Sequence, residues 1–266
     1  MYDYHMHSRV SFDTDASPID MVKAAENAGL SEICFTDHYD FNDVRRDEKD
    51  IFTISDYEGA YGALSSDLVK IRRGVEFGLT PWNTRELSDL LDSYNFDFVI
   101  GSIHYADGND PYFPEFWRGL DSADKAFEKY LLHILSCVKA HSDFDVLGHL
   151  NYVCRYVTRS PERLSAKYLH YADHADLCDE IFRELIKKGK GIEINTSGFD
   201  DYGEFIPSRA FVERFRELGG EIITVGSDAH SPSRVGERIS GATEIAKDVF
   251  GYVCTFEGRK PIFHKM

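Results

Sequence analysis

The sequence predicts an α/β protein whose parallel strands close into a barrel. Short apolar runs alternate seven times with longer stretches of helical periodicity, and no linker-like segment separates them. Because barrels of alternating strands and helices reach about 250 residues as one domain, residues 1–266 are expected to form a single domain. Most of the predicted strands end in histidine, aspartate or glutamate, and barrels carry their active sites at the carboxyl ends of their strands.

The predicted strands are short and mostly apolar. In the first, tyrosines and a methionine alternate with polar residues, and this period of two places Asp3, His5 and His7 on one face. The last strand leads directly through Gly226 into Asp228 and His230. The seven strands are predicted at residues 2–7, 33–36, 69–75, 96–100, 144–147, 191–194 and 222–225.

Helices are predicted between these strands, at residues 18–28, 55–69, 83–91, 122–141, 161–188, 207–218 and 235–250. The first has the plainest boundaries, with Ser17 as N-cap, Pro18 at the first helical position and Gly29 at its end. The polar residues 39–56 predict a long loop, and residues 105–119, with two prolines and several aromatics, predict a lid over the site. Residues 252–263 fit either a short hairpin or an unpaired tail.

Composition excludes several classes of partner. The formal net charge of −16, with no block rich in lysine or arginine, argues against long nucleic acid. No apolar run approaches the roughly 20 residues that span a bilayer, and the acidic first residues give no sign of a secretory leader, so we expect a cytoplasmic protein without a membrane partner. The five cysteines form no CxxC pair and are expected to be buried, reduced thiols.

Six of the eleven histidines lie at predicted strand ends, which indicates a metal site. Imidazoles together with carboxylates suit zinc, iron or manganese. The residues at strand ends exceed what one ion can coordinate, so we expect two or three divalent ions bridged by a carboxylate. The other five histidines are interpreted as surface or hydrogen-bonded residues. The residues at the strand ends are His5, His7, Asp37, His38, Glu76, His104, His149, Asp228 and His230.

In their order along the chain, these residues resemble the motif series of the polymerase and histidinol phosphatase (PHP) superfamily. Within that superfamily, the segments 101–105 (GSIHY), 112–115 (YFPE) and 148–152 (GHLNY), with Arg155 and Tyr156, are similar to histidinol-phosphate phosphatases. The resemblance implies a distorted, TIM-like (β/α)7 barrel with a trinuclear metal site.

The resemblance also implies a ligand set for each ion. The first ion would be bound by His5, His7, Glu76 and Asp228. The second ion would be bound by Asp13, His38 and His230. The third ion would be bound by Glu76, His104 and His149, so that Glu76 bridges the first and third ions. Asp15 is close enough in the sequence to be the ligand of the second ion in place of Asp13. Glu76 and Asp228 are thus expected to be catalytic, and Asp37 is a candidate proton donor to the leaving group.

Further polar residues are candidates for supporting roles. Asp3 would either orient an imidazole or be a satisfied interior carboxylate. Arginines that follow strand exits are candidates for binding phosphate, and the chain departs from the pattern expected of the phosphatases after the sixth strand, where acidic residues stand instead of a basic one. That acidic pair would favour a cationic substrate group or form a solvated turn. The arginines are Arg155, Arg234 and Arg9, and the acidic pair is Asp200 and Asp201.

The leading functional hypothesis is a metal-dependent phosphomonoesterase that hydrolyses L-histidinol phosphate, with a small phosphate ester as its partner. An alternative keeps the site but uses another small phosphate ester, or a nucleotide or short oligonucleotide phosphodiester. A non-catalytic metal-binding module is disfavoured because the ligand series is intact. An amidohydrolase would also begin with His-x-His, but it usually has a bridging lysine where this chain has Glu76 and His104.

Overall fold

The computed structural model describes residues 1–47, 49–161, 164, 168–199 and 203–266. Within these ranges the strands are β1 (Tyr2–Met6), β2 (Glu32–Phe35), β3 (His38–Phe41), β4 (Lys49–Asp50), β5 (Lys70–Gly78), β6 (Phe98–Ser102), β7 (Val146–Leu147), β8 (Gly191–Asn195), β9 (Ile223–Gly226), β10 (Tyr252–Glu257) and β11 (Lys260–Lys265). Seven of these described strands pair in parallel in the order β1-β2-β5-β6-β7-β8-β9.

The sheet closes on itself just beyond the end of β9. Met6 forms a parallel bridge with Ala229, the backbone N–H of His7 donates to Ala229 O at 2.9 Å, and the N–H of Asp228 donates to His5 O at 2.8 Å. The closing bonds therefore lie at the carboxyl ends of the first and last strands. This nearly closed barrel of seven parallel strands confirms the predicted fold class.

The helices cover the outside of the barrel, and their apolar faces form the main core. Helix α5, for example, buries Phe127, Leu131 and Ile134 along one face, and the Ser122 side chain caps its first turn by accepting from Lys125 N–H. The described α-helices are α1 (Pro18–Asn27), α2 (Ile54–Tyr61), α3 (Thr84–Ser93), α4 (Pro114–Trp117), α5 (Ala123–Ala140), α6 (Ala175–Lys187), α7 (Arg209–Glu217) and α8 (Ile239–Phe250). Short 3-10 helices span Tyr152–Arg159, Tyr171–His174 and Pro232–Arg234.

The C-terminal residues form an antiparallel hairpin, β10–β11, which settles the choice between hairpin and tail. Phe256 packs on Phe98 with ring centroids 4.7 Å apart, inside a second core cluster that also contains Tyr4. The hairpin turn bonds to residues before β6 and β7: Gly258 N–H donates to Asp97 Oδ1 at 3.0 Å, and Arg259 bonds to Asp145. The hairpin thus covers the end of the barrel where the strands begin, opposite the strand exits.

Several element predictions are wrong. The predicted loop 39–56 contains strand pairing, because β3 extends the sheet beside β5 and turns back as β4. The predicted helix 55–69 ends at Tyr61, since residues after it turn around Ser66, whose hydroxyl accepts from the backbone N–H of Leu68 and Val69. The predicted helix 235–250 begins only at Ile239 because Gly236 and Arg238 have left-handed backbone angles, φ 71° and 55°.

The predicted helix 161–188 is also too long, and α6 begins at Ala175. Leu169 is tied to the preceding segment instead: its N–H donates to Cys154 Sγ, and its carbonyl accepts from Asn151 Nδ2 at 3.2 Å. The remainder of this prediction, at 162–163 and 165–167, lies outside the described residues.

All five cysteines are buried free thiols, as expected. In the described ranges, no helix is both long enough and apolar enough to cross a membrane.

Candidate metal centre

The carboxyl ends of the strands bring the predicted ligands together around one carboxylate. Glu76 lies in β5, is fully buried, and places its side chain between imidazoles from four other segments. Its Oε2 lies 3.2 Å from His5 Nε2, 3.5 Å from His7 Nε2 and 3.1 Å from His38 Nδ1. Its Oε1 lies 2.8 Å from His149 Nε2 and 3.4 Å from His104 Nε2.

The electrostatics of this carboxylate follow from its surroundings. Burial alone would raise the pKa of Glu76, but the imidazoles of His5, His104 and His38 hold that pKa well below its ordinary value. Glu76 is therefore an anion in an environment from which water is excluded. An anion of this kind requires cationic partners.

Several groups of side chains are close enough together to share an ion. The donor atoms within each group lie within 4.8 Å of one another. The groups include His5, His7 and Glu76; Glu76, His104 and His149; His7, His38 and His230; His5, His149 and Asp228; and His38, Asp40 and His104. The first is part of one ligand set implied by the PHP resemblance, and the second is the whole of another.

Five buried atoms of the cluster have no hydrogen-bond partner among the described residues: His5 Nε2, His7 Nε2, His38 Nδ1, His149 Nδ1 and Glu76 Oε2. Three of the nitrogens, those of His5, His7 and His38, lie 3.1–3.5 Å from Glu76 Oε2, but their approach does not have hydrogen-bonding geometry. Unpartnered polar atoms in a protein interior are destabilising. Imidazole nitrogens beside a carboxylate oxygen are, however, a donor set that suits transition-metal ions. The residues present therefore fit metal ions.

Asp228 and His230 face different parts of the cluster. Asp228 has a left-handed backbone, φ 56°, and its Oδ1 lies 3.3 Å from His7 Nε2 and 3.7 Å from His5 Nε2. His230 turns its Nδ1 to the carbonyl of Asp228 at 2.9 Å, so its Nε2 faces Asp13 Oδ2, also at 2.9 Å. Although they are two residues apart at one strand exit, Asp228 and His230 thus contact different residues of the cluster.

A loop carboxylate, Asp13, lies beside His38 and His230. Asp13 Oδ2 lies 3.5 Å from His38 Nε2 in addition to its contact with His230. These two imidazoles hold the pKa of Asp13 well below its ordinary value, against the opposing effect of burial. Asp15, its competitor in the sequence, makes no such ion pair in the part of the chain that the structure describes.

Two carboxylates in contact with the cluster were missed in the sequence. Asp40 places its Oδ1 2.9 Å from His104 Nδ1 and its Oδ2 3.3 Å from His38 Nδ1. Glu193 places its Oε1 2.7 Å from His5 Nδ1. Each engages a ring nitrogen of a predicted ligand, the usual way to orient a metal-binding imidazole. For Glu193 a signal was present, because a glutamate stands in the middle of the apolar strand β8.

Asp37 lies beside the cluster and does not line the cavity above it. Its carboxylate accepts from Ser8 N–H at 2.8 Å, Ser11 Oγ at 3.0 Å and the hydroxyl of Tyr61. Ser11 Oγ in turn lies 3.1 Å from His7 Nδ1. A fully buried carboxylate held in this way does not fit the expected proton donor to a leaving group. Asp37 instead stabilises the loop that contains Ser8 and Ser11 and follows His7.

Asp3 is a satisfied interior carboxylate, the second of the two roles considered for it. It accepts from the backbone N–H groups of Ser227 at 2.8 Å and Gly236 at 3.0 Å, and it has no imidazole contact in the described ranges. Burial raises its pKa to about 6, although these hydrogen bonds lower it. Asp3 therefore fixes the turn that carries Asp228.

A cavity of 620 Å³ opens above the cluster. Six of its lining residues are tyrosine or phenylalanine, and Tyr112 and Phe113 of the predicted lid are among them. The lining residues are Phe12, Asp13, His38, Asp40, Asp50, His104, Tyr105, Asp110, Tyr112, Phe113, His149, Tyr152, Arg155, Tyr156, Asp228 and His230. The predicted lid is not wholly irregular, because it contains the single turn α4.

The three candidate arginines occupy different places. Arg155 lines the cavity, with Nη1 3.3 Å from Asp228 Oδ2. Arg9 lines an adjoining cavity of 560 Å³ that shares His38 with the first. Arg234 is instead paired with Glu237 at 2.8 Å, outside both cavities. The acidic pair, Asp200 and Asp201, lies outside the described residues.

A family model described as PHP domain matches residues 3–197. The chain belongs to the PHP domain family. A histidinol-phosphatase from Lactococcus lactis is 34% identical over 262 residues, which cover 97% of this chain and 95% of the relative. A probable histidinol-phosphatase from Clostridium acetobutylicum is 28% identical, with 93% of each chain covered.

Two solved structures resemble this PHP protein over most of its length. A crystal structure of histidinol phosphate phosphatase from Lactococcus lactis, complexed with zinc, L-histidinol and phosphate, has a TM-score of 0.88 at 33% identity and covers 98% of both chains. The putative histidinol phosphatase from Listeria monocytogenes has a TM-score of 0.68 at 17% identity, with 91% of this chain covered, and supports the fold alone.

Proposed function

We propose that this protein is a metal-dependent phosphomonoesterase that hydrolyses L-histidinol phosphate to L-histidinol and phosphate. The observation that carries the proposal is the group of five imidazoles around the buried Glu76, at the floor of a cavity that an arginine also lines. The full-length similarity to a phosphatase whose crystal structure contains zinc, L-histidinol and phosphate supports the choice of substrate.

Two or three divalent ions, zinc, iron or manganese, fit the donor set best. One metal ion would be bound by His5, His7, Glu76 and Asp228, and a second by Asp13, His38 and His230. A third metal ion would be bound by Glu76, His104 and His149. When bound, such ions supply Lewis-acid chemistry for phosphoryl transfer to water. Glu76 and Asp228 hold the positions together, because Glu76 reaches five imidazoles and Asp228 approaches those of His5 and His7.

Arg155 is the arginine we assign to the phosphate. Its guanidinium lies over the rings of Tyr152 and Tyr156, 5.7 Å and 5.8 Å from their centroids, and beside Asp228. A planar guanidinium fixed between rings can bind two phosphoryl oxygens without losing much conformational entropy. Arg9 belongs to the adjoining cavity and is the weaker candidate, while the ion pair of Arg234 with Glu237 argues against a phosphate role for it.

Carboxylates at the cavity wall suit the amine of L-histidinol phosphate. Asp110 Oδ1 accepts from Tyr112 N–H at 2.8 Å and Tyr152 O–H at 3.2 Å, which fixes the carboxylate on the wall. Asp50 also lines the cavity. A cavity lined by Arg155, which lies beside Asp228, and by Asp50 and Asp110 complements a substrate that carries a phosphate at one end and an ammonium group at the other.

We further propose that the whole chain acts as one domain, because the C-terminal hairpin packs into the base of the barrel through Tyr4 and Phe98. Its five buried thiols support a location in the reducing cytoplasm. The net charge of −16 favours a small phosphate ester over long nucleic acid as the partner.

The test is phosphate release from L-histidinol phosphate by the metal-loaded protein, with and without a chelator. A simple phosphomonoester and a phosphodiester complete the substrate panel. We expect release from L-histidinol phosphate that the chelator abolishes and added metal restores. His104→Ala and His230→Ala should each abolish turnover, whereas the exposed His170 provides a matched control in which the same substitution leaves turnover unchanged.

No chelator-sensitive release from L-histidinol phosphate would refute the proposal. Faster hydrolysis of the diester would favour the nucleotide alternative. Faster hydrolysis of the simple monoester would point to another small phosphate ester.

A further inference from the structure

Strand β8 contributes none of the predicted metal ligands, yet its polar side chains reach three segments that do. Glu193, Asn195 and Ser197 alternate along this strand and its exit, and all three are buried. Because side chains two apart on a strand share a face, the three form a single row directed at the centre. They touch the segments that carry His5, His149 and Asp228.

Glu193 uses both of its carboxylate oxygens in this row. Oε1 lies 2.7 Å from His5 Nδ1, while Oε2 accepts from the backbone N–H of His149 at 2.9 Å and from Asn195 Nδ2 at 3.2 Å. The carboxylate is 1% exposed. Gly226 leaves room for it, since a Cβ on that residue would lie 2.4 Å from Oε1.

The row continues to the segment that carries Asp228. Ser197 Oγ lies 2.5 Å from Asn195 Oδ1 and 3.1 Å from Asp228 Oδ2, and Asn195 Nδ2 lies 3.4 Å from the same oxygen. One hydrogen-bonded row thus links an imidazole of β1, the backbone after β7 and a carboxylate after β9.

We propose that Glu193 is a positioning residue that holds His5 with its Nδ1–H donated to Oε1 and its Nε2 lone pair free for a metal ion. The same carboxylate fixes the backbone N–H of His149, and so places a ligand that belongs to another proposed position. This inference rests on the proposed metal-dependent function, but it concerns metal binding and does not depend on the substrate. Carboxylates that orient a ligating imidazole change metal affinity by about 10- to 100-fold when they are replaced.

An amide cannot replace this carboxylate. If the amide introduced by Glu193→Gln turned its oxygen to His5, its NH2 group would face two donors, the N–H of His149 and the NH2 of Asn195. If it turned its oxygen to His149, its NH2 group would require an unprotonated Nδ1 on His5, which would put the proton on Nε2 and block that atom as a ligand. Both orientations disturb the centre.

The experiment measures Co²⁺ affinity and the visible spectrum of the Co²⁺-loaded protein for wild type and Glu193→Gln. Glu32→Gln is the matched control, because Glu32 is also a buried strand glutamate but bonds to Tyr4 and Arg72 at the other end of the barrel. We expect Glu193→Gln to weaken Co²⁺ binding about 10- to 100-fold and to change the spectrum. Glu32→Gln should alter neither, even if its melting temperature falls.

Wild-type Co²⁺ affinity and spectrum in a folded Glu193→Gln protein would overturn the proposal. Circular dichroism of the metal-free proteins checks folding. If Glu193→Gln fails to fold, Glu193→Asp serves instead: the charge is kept, but the shorter side chain cannot reach both donors, and the same loss of affinity is expected. Failure of both variants to fold, while Glu32→Gln folds, would also reject the proposal and make Glu193 purely structural. A wild-type protein that binds Co²⁺ but does not hydrolyse L-histidinol phosphate would reject the proposed function and leave this inference standing.

Discussion

Gly226→Ala should damage the metal centre by adding a single methyl group. The backbone of Gly226 is that of an ordinary strand, so alanine meets no conformational obstacle there. The obstacle is space: the new Cβ would lie 2.3 Å from His5 Cβ and 2.4 Å from Glu193 Oε1. Carbon atoms pack at about 3.5 Å, so β1 or β8 must move by about 1 Å.

The size of this displacement sets the expected losses in stability and in turnover. Overpacking in a core lowers the free energy of unfolding by about 1–3 kcal/mol. A misplacement of about 1 Å at an active site lowers turnover by about 100-fold, equivalent to about 3 kcal/mol in the activation free energy. The larger effect is therefore expected on function, because His5 and Glu193 are the residues displaced.

The assays are metal content after dialysis, turnover of L-histidinol phosphate, and urea unfolding. Gly59→Ala is the matched control, since Gly59 lies in α2 with nothing within 4 Å of the added Cβ. The control should keep wild-type metal content and turnover, with stability unchanged or raised by about 0.4–1 kcal/mol. Full metal content and turnover in Gly226→Ala would refute the reasoning, because they would show that the strands yield without disturbing the site.

Three further predictions concern specificity and stability. Asp110→Asn should raise KM for L-histidinol phosphate by about tenfold, because the substrate amine loses a charged partner. The value of kcat/KM for p-nitrophenyl phosphate, which lacks an amine, should stay the same. Equal effects on both substrates would contradict the proposed contact between Asp110 and the amine. Phe256→Ala should lower the free energy of urea unfolding by about 3–5 kcal/mol with no change in metal content, since Phe256 fills the base of the barrel. Arg214 binds Asp179 through two hydrogen bonds, at 2.9 and 2.7 Å, and holds the pKa of that carboxyl at about 2. The pKa of Asp179 is lower in the folded protein than in the unfolded chain, so its pairing with Arg214 stabilises the fold at neutral pH and loses this effect as the pH falls. Arg214→Met should therefore lower the free energy of urea unfolding at pH 7, and the difference from wild type should narrow between about pH 4 and about pH 2.

The positions of the candidate ligands could be read from the sequence because parallel strands impose a common geometry. Residues at or just after successive strand ends converge on one rim, so His5, His104 and His149 could be grouped without knowing any distance. The same reasoning places Asp228 and His230 at this rim, where both contact other residues of the cluster.

The contacts of the supporting residues could not be predicted in this way. Glu193 and Asp40 contact the cluster through pairing between strands and through β3, a strand that the sequence did not predict. Asp37, adjacent to His38 in the sequence, turns to Ser8 and Tyr61 instead of the cavity. The environment of a buried carboxylate depends on donors supplied by distant segments, and local patterns carry no information about them.

The sequence alone determined the alternation of strands and helices, the closure into a parallel barrel, and the imidazole and carboxylate donors at its rim, because periodicity and strand exits are local features. Only the tertiary structure decided that Glu76 approaches five imidazoles, that Arg155 faces the cavity while Arg234 pairs with Glu237, and that the C-terminal hairpin covers the base of the barrel. These outcomes depend on which side chains from remote segments approach within a few ångströms, and the three-dimensional packing of the chain sets those distances.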